Sequence, residues 1–367
     1  MFTFNGLSAR PILALMLALQ VSIAQAEPVP TNTFVNFESA HVHPLDRTPD
    51  GQKLLAVNTA NNTLEVFAIN DDGSLRNTAS IPVGVDPVTV RVRNNNEAWV
   101  ANVISDTVSI VDLNTNAVIR TIQTENEPSD IVFAGSPQRA FVSCAERESI
   151  QVFNLSNLNA IPQEILLIGE QPRAMAVSPD GNTVYTAFFE SGNQTTVIAG
   201  NDFIADGGLT APGSGTTVVD NDVRNPAGPY QGRVPVPNSG SGFSPAINPI
   251  LPVKTDTQSL VVKKQSNGRW LDDNNGDWTN IVSGGQGNRI AGWDLRDRDI
   301  AILNANTLSL RYQSTLGNIL MAMDVNPASG RLTVVGTDAL NHIRFEPNLN
   351  GTFLRVNVSE FNPTSNN

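Results

Sequence analysis

Histidine is the side chain best suited to exchanging protons near neutral pH, and this sequence holds three of them. His41 and His43 are two residues apart, so on a β-strand both side chains point to the same face. Such a pair can bind a metal, but it needs further ligands, and none stands out nearby. We treat His41 and His43 as weak metal candidates, with a solvent-facing strand edge as the alternative, and interpret His342 as structural.

A second group of candidate ligands is the acidic segment that contains Asp272, Asp273 and Asp277. Carboxylate oxygens bind calcium, which makes these three residues weak metal candidates as well. An EF-hand loop that starts at Asp273 would need Gly at its sixth position and Glu at its twelfth, where Trp278 and Gly284 stand. A polar turn is the alternative, and no cofactor other than calcium is indicated.

The sequence lacks the motifs of nucleophilic and phosphate chemistry. It contains neither a G-x-S-x-G segment nor a G-x-x-x-x-G-K-[ST] loop, so we identify no catalytic residue. Cys144 is the only cysteine, which excludes a C-x-x-C-H haem attachment site and a zinc site built on several cysteines. It lies in a strand-like run, Phe141 to Ala145, where we expect it to act as a small buried apolar residue.

Acidic residues outnumber basic ones. The 367 residues include 35 Asp and Glu but 23 Lys and Arg, for a net charge of −12. Proteins that bind phosphate backbones concentrate basic residues, so nucleic acid is not an expected partner. Only 16% of the residues are charged, and much of the polar surface must come from Asn, Thr, Ser and Gly, which favour strands and turns over helices.

Residues 1–26 are predicted to be a secretory signal peptide. Arg10 precedes an apolar stretch, Pro11 to Ile23, and Ala24-Gln25-Ala26 has the A-x-A form of a cleavage site. A stretch of about 13 residues is too short to span a bilayer, and no later segment approaches the roughly 18 apolar residues of a transmembrane helix. We expect an exported protein, periplasmic, extracellular or at the cell surface, with no transmembrane segment after signal removal.

Four segments of the chain resemble one another. Copies two to four share a marker proline, Pro87, Pro128 or Pro172, and Val42 takes that place in the first copy. These positions are separated by 45, 41 and 44 residues, and each copy holds short strands rich in Val and Ile, bounded by turns such as Asp180-Gly181. A period of this length with three or four strands is typical of a β-propeller blade.

The predicted fold class is therefore all-β, a β-propeller of four-stranded blades. A single blade cannot bury both of its faces, and neighbours on each side supply the packing. A β-solenoid is the competing interpretation, but its repeats are shorter. A fifth copy starts at Asn318, so about five blades are visible.

The repeats divide the chain into four parts. Residues 1–26 form the signal peptide, residues 27–190 hold blades 1 to 3 and the first part of blade 4, residues 191–293 form a loop-rich insertion, and residues 294–367 hold the end of blade 4 and blade 5. The insertion either builds a binding surface or is a long surface loop that the fold tolerates. The five blades either close a ring, using a strand at Thr33 to Phe37, or form an incomplete ring in a truncated chain, which we favour.

The segment Gly169 to Ala187, with Gly-x-x-Pro, Ser-Pro-Asp-Gly and Val-Tyr-x-Ala, resembles the YVTN/YncE-like β-propeller repeat family of exported bacterial proteins. Four further stretches are similar to its larger surface-associated branch: Val42 to Leu45, Ser191 to Thr196, Gly268 to Asp273 and Arg344 to Pro347. Some longer members carry a cytochrome-like C-terminal part with C-x-x-C-H, which this sequence lacks. The resemblance implies a propeller fold and carries over no catalytic residue.

The segment after each marker position (Val42, Pro87, Pro128 or Pro172) leads into the innermost strand of its blade. His43 and Arg173 directly follow such positions and are our candidates for channel-facing ligand contacts. We expect an exported, non-catalytic propeller that acts as a binding or scaffold module for a protein or small-molecule partner. The sequence leaves two alternatives open. One is a lactonase-like hydrolase, since some propellers of similar repeat type hydrolyse sugar lactones, and the other is an accessory subunit of a periplasmic cytochrome-type redox system.

Overall fold

The computed structural model describes residues 39–192, 194–198, 208–210, 217–220, 260–271, 279, 293–294, 296–339 and 354–363. Residues 39–367 form one compact unit. The predicted signal peptide and the strand proposed at Thr33 to Phe37 lie outside the described residues. The described part of the chain contains no helix with the length and apolar character needed to cross a membrane.

Three four-stranded antiparallel sheets follow one another along the chain, each with its strands in sequence order. Blade 1 consists of β1 (Leu45–Arg47), β2 (Lys53–Asn58), β3 (Thr63–Ile69) and β4 (Leu75–Pro82). Blade 2 consists of β5 (Pro87–Asn94), β6 (Glu97–Asn102), β7 (Thr107–Asp112) and β8 (Ala117–Gln123). Blade 3 consists of β9 (Pro128–Ala134), β10 (Arg139–Cys144), β11 (Ser149–Asn154) and β12 (Gln163–Leu166).

The fourth sheet is interrupted by the insertion. Blade 4 pairs β13 (Glu170–Val177) and β14 (Thr183–Glu190) with two strands more than 100 residues further on, which are numbered β21 (Ile300–Asn304) and β22 (Leu310–Gln313). The insertion forms a second sheet of its own from β15 (Thr195–Ile198), β18 (Leu260–Lys264), β19 (Trp270–Leu271) and β20 (Trp293–Asp294). It also holds a hairpin of β16 (Gly208–Thr210) and β17 (Thr217–Asp220).

Blade 5 has three strands in the described residues rather than the predicted four. They are β23 (Ile319–Val325), β24 (Leu332–Ala339) and β25 (Leu354–Phe361). His342 falls between the last two strands, outside the described residues, so its predicted structural role stays a prediction.

Local hydrogen bonding explains where the strands begin. Before β14, the Gly181 N–H donates to the Ser178 carbonyl oxygen at 2.8 Å, and Gly181 has a φ of +71°, a left-handed conformation that glycine adopts without strain. The Asp180 carboxylate accepts hydrogen bonds from the Ser178 hydroxyl at 2.5 Å and from the Asn182 N–H at 3.0 Å. The Ser-Pro-Asp-Gly sequence thus closes a tight turn and sets the register of the two strands.

The apolar core lies between neighbouring blades, where the face of one sheet packs on the face of the next. Leu55, Leu64 and Val100 are among the buried residues between blades 1 and 2. Trp99, Ile131 and Cys144 belong to the cluster between blades 2 and 3, Phe141 and Phe188 to that between blades 3 and 4, and Ile302 and Val334 to that between blades 4 and 5. This packing confirms the all-β propeller prediction, and Cys144 is buried as expected.

Candidate functional site

The innermost strands of the five blades meet around a cavity of about 440 Å³. Each blade contributes lining residues, from the first strand of its sheet or from the residues next to it. The polar lining residues are His43, Asp46, Arg91, Arg93, Gln138 and Asp324, and the apolar ones include Ile131, Phe133, Met175 and Met323. A concave space into which several polar side chains converge is a candidate small-molecule site.

A buried ion pair joins blades 2, 3 and 4 at this cavity. Arg91 on β5 donates from Nε and Nη2 to the two carboxylate oxygens of Asp130 on β9, at 2.8 and 2.7 Å. The Asp130 side chain is 1% exposed and that of Arg91 is 19% exposed. Asp130 also accepts the backbone N–H of Met175 on β13 at 2.8 Å, and Arg91 Nη2 donates to the Met175 carbonyl oxygen at 2.9 Å. The pair therefore acts as a fixed cross-link between three blades.

His43 connects blade 1 to the same cluster. Its Nε2 lies 3.1 Å from Arg91 Nη1. Burial, followed by the positive charge of Arg91, lowers the pKa of His43 from its ordinary value of 6.5, although nearby carboxylates oppose the shift. Burial by itself lowers the pKa of Arg91, but the charge and hydrogen bonds of Asp130 raise it above its ordinary value. A guanidinium only donates hydrogen bonds, so Nε2 accepts here and the neutral ring carries its proton on Nδ1.

One donor of Arg91 is left for a ligand. A guanidinium has five N–H groups, and the contacts with Asp130, Met175 and His43 use four of them. Within the described residues, the fifth, on Nη1, has no protein acceptor. A ligand oxygen in the cavity can therefore accept a hydrogen bond from the same nitrogen that contacts His43.

The rim of the cavity is acidic. Asp46 accepts the Val92 N–H at 2.7 Å, and the exposed Asp324 accepts the Val325 N–H at 2.7 Å. Among the described residues neither carboxylate has an ion-pair partner, whereas Arg93 is paired with Glu97 at 3.0 Å. The local charge therefore favours an uncharged ligand over an anionic one.

The predicted site residues are dispersed. His43 lines the cavity, but His41 contacts Thr59 Oγ1 at 2.5 Å and does not line it. Arg173 lies over the Phe189 ring, 4.2 Å from its centroid, and does not line this cavity either. Asp272, Asp273 and Asp277 fall outside the described residues, and the described part of the chain holds no cluster of three or more His, Cys, Asp or Glu side chains suited to a metal.

Sequence reasoning missed Arg91 and Asp130. Both stand inside strands that are otherwise rich in apolar residues, Pro87–Asn94 and Pro128–Ala134. A charged residue in a buried strand needs a partner, so opposite charges on the inner strands of adjacent repeats were the available signal.

Comparison with known proteins finds one matching family model and several similar solved structures. The family model described as "Lactonase, 7-bladed beta-propeller" matches residues 17–202, just over half of the chain. No match was found among curated proteins.

Three solved structures are similar to parts of this chain. Hydrazine synthase of Kuenenia stuttgartiensis is 16% identical, with a TM-score of 0.40, over 83% of this chain and 79% of that one. A Bacteroides uniformis protein provisionally assigned as a 6-phosphogluconolactonase is 18% identical, with a TM-score of 0.39, over 81% and 79%. A functionally unknown protein from Desulfotomaculum acetoxidans is 20% identical, with a TM-score of 0.35, over 42% and 53%. Likeness at these identities concerns the fold alone.

Proposed function

Because this chain belongs to the lactonase, seven-bladed β-propeller family, we propose that it hydrolyses lactones in the cavity lined by His43 and Arg91. The observation that carries the proposal is the contact between a neutral imidazole and a guanidinium that still has a free N–H, at the point where the inner strands meet. The described residues hold five blade sheets, where the family description names seven.

Lactone hydrolysis needs a base and a hydrogen-bond donor. Water attacks the carbonyl carbon of the cyclic ester and loses a proton to the base, and negative charge develops on the carbonyl oxygen. The ring C–O bond then breaks, the protonated base returns the proton to the leaving oxygen, and the product is a hydroxy acid. At neutral pH the acid ionises, so each turnover releases one proton into solution.

His43 and Arg91 match these two roles. A pKa below 6.5 leaves the His43 imidazole neutral at pH 7 and able to accept a proton from water. In the free protein its Nε2 lone pair accepts a hydrogen bond from Arg91 Nη1. Catalysis therefore requires that a bound lactone, whose carbonyl oxygen accepts the free N–H of Arg91 Nη1, displaces the contact between Nη1 and Nε2. The imidazole is then free for water, and a fixed positive charge lies at the developing oxyanion.

The rest of the cavity supports an uncharged substrate. Phe133 and Met323, which both line the cavity and are partly exposed, offer an apolar wall for the ring carbons. The carboxylates of Asp46 and Asp324 disfavour an anionic lactone and also repel the carboxylate of the product. The proposed substrate class is therefore neutral lactones.

The test measures proton release from D-glucono-δ-lactone and γ-butyrolactone, corrected for spontaneous hydrolysis. We expect the protein to hydrolyse at least one of them and His43→Gln to lower the rate by about 10²–10⁴, the usual contribution of a general base. His41→Gln is the matched control, since His41 is a nearby histidine that contacts Thr59 outside the cavity. Equal loss in both variants, or no hydrolysis by the unaltered protein, would refute the proposal.

A non-catalytic binding module is the second candidate. Four of the five Arg91 N–H groups are already used by the protein, which suits a site that holds a ligand without reacting with it. Under this alternative, lactones or their hydroxy acids bind to the cavity and are recovered unchanged. We also propose that the protein is exported to the periplasm or cell surface and that its repeats are of the YVTN/YncE-like type. Both parts of the proposal rest on the sequence patterns alone.

A further inference from the structure

A second concave site lies where the insertion sheet meets the segment that leads into β21. This groove has a volume of about 560 Å³. Its lining includes Lys264 at the end of β18, Trp270 on β19, and the consecutive residues Arg296, Asp297 and Arg298. None of these residues lines the cavity that holds His43, so the two sites use different parts of the fold.

The groove is basic in an acidic protein. Among the described lining residues, Lys264, Arg296 and Arg298 bring three positive charges against one carboxylate, that of Asp297, whereas the whole chain has a net charge of −12. Within the described residues none of the three cations lies within ion-pair distance of a carboxylate. The carboxylate of Asp297 accepts the Thr315 N–H at 3.2 Å. The positive charge is therefore available to a ligand.

Arg298 is held in position by its neighbours. Its guanidinium carbon lies 5.3 Å from the centroid of the Tyr312 ring, and Nη1 donates to the Asp297 carbonyl oxygen at 3.3 Å and to Ser314 Oγ at 3.4 Å. The Tyr312 hydroxyl in turn accepts the Ile168 N–H at 2.8 Å. Nε and Nη2 have no partner among the described residues. A guanidinium fixed in this way binds carboxylate or phosphate oxygens with little loss of side-chain entropy.

Lys264 approaches the groove from the insertion sheet. Its backbone N–H donates to the Gln194 carbonyl oxygen at 2.8 Å, which fixes the end of β18. Its ammonium lies 6.0 Å from the centroid of the Trp270 ring, and Trp270 is only 6% exposed. The ring therefore serves as a wall that keeps the ammonium near the groove, while the exposed position of Lys264 leaves its N–H groups free for a ligand.

We propose that this groove binds a compact organic dianion, either a phosphate monoester or a dicarboxylate. In the part of the lining that the structure describes, three cations against one carboxylate leave a surplus of two positive charges, which matches a dianion. Arginine forks and lysine ammonium groups recognise both kinds of oxyanion, so the two ligands share one chemistry.

Isothermal titration with glycerol 2-phosphate and with succinate tests this assignment, with glycerol as the uncharged control. We expect at least one dianion to bind, binding to weaken as salt is raised, and glycerol to give no heat. Binding of the phosphate alone, of succinate alone or of both supports the site and identifies the oxyanion. Absence of binding by both dianions at millimolar concentration would overturn it.

Two groove variants and two control variants locate the binding. Arg298→Gln and Lys264→Gln should each weaken binding by about tenfold, the usual effect of losing one charge-assisted hydrogen bond. Arg269→Gln is the matched control, because Arg269 lies in the turn between β18 and β19, close to Lys264, but does not line the groove. Lys264 is exposed, so its variant should fold even if that of Arg298 does not. His43→Gln should bind the dianion as the unaltered protein does, and unchanged affinity in both groove variants would refute the proposal.

Discussion

Asp299 is a buried carboxyl whose replacement by Asn should stabilise the protein at neutral pH. It precedes β21, is fully buried, and has one oxygen, Oδ1, without a hydrogen-bond partner in the described residues. The other oxygen accepts the Leu316 N–H. Burial raises the pKa of Asp299 from 3.8 to about 6, and the nearby Ser191 hydroxyl and the Leu316 N–H oppose the shift only in part.

The pKa shift sets the sign and size of the effect. Well below pH 3.8 the carboxyl is protonated in both the folded and the unfolded chain, so its ionisation does not affect the free energy of unfolding. Between pH 3.8 and about 6 the unfolded chain ionises first, and stability is progressively lost. Above about pH 6 the folded protein holds a buried carboxylate at a cost of about 3 kcal/mol, from roughly two pKa units at about 1.4 kcal/mol each.

Asn is neutral at every pH and keeps an oxygen for the Leu316 N–H. We therefore expect Asp299→Asn to raise the free energy of unfolding by up to about 3 kcal/mol at pH 8 and by little at pH 4. Urea unfolding at several pH values measures the difference, with Asp71→Asn as the control, because Asp71 is exposed and does not contribute to the pKa shift of Asp299. If Asp299→Asn destabilised the protein equally at pH 4 and pH 8, the argument from burial would be wrong.

Two substitutions and one reactivity measurement test the packing further. Arg91→Met should lower the free energy of unfolding by about 3–5 kcal/mol in urea, because it leaves the Asp130 carboxylate buried and unpaired, and a loss below about 1 kcal/mol would contradict this. Gly336→Ala should cost about 1–3 kcal/mol in thermal unfolding, because a Cβ there would overlap the Ile319 carbonyl oxygen. Burial raises the pKa of Cys144 to about 12, so the native thiol should resist a thiol reagent at pH 8 and react only on unfolding.

The repeating units of the fold were accessible from sequence because they depend on local chemistry. Pro87 and Pro128 begin the inner strands of blades 2 and 3, as the marker prolines suggest. The sequence also predicts that blade 4 resumes at Asp299 to Asn304, and β21 spans Ile300–Asn304. Turns and alternating apolar residues are encoded within a few positions, so these elements do not depend on distant contacts.

The site was less accessible because it depends on contacts between blades. His43 directly follows Val42, the first repeat position, and it lies two residues before β1, where it lines the cavity. Arg173 holds the same place in its own repeat, but its guanidinium lies over the Phe189 ring and does not line the cavity. The pairing of Arg91 with Asp130 requires the relative placement of two sheets, which no local pattern contains.

The pH dependence of lactone hydrolysis tests the proposed chemistry most directly. If His43 accepts the proton from water, the rate must fall as pH decreases through the pKa of His43, below the ordinary histidine value of 6.5, because the protonated ring is no longer a base. The unaltered protein and His41→Gln should share this acidic limb, and the residual rate of His43→Gln should lack it. An acidic limb that persists unchanged in His43→Gln would show that another group is the base.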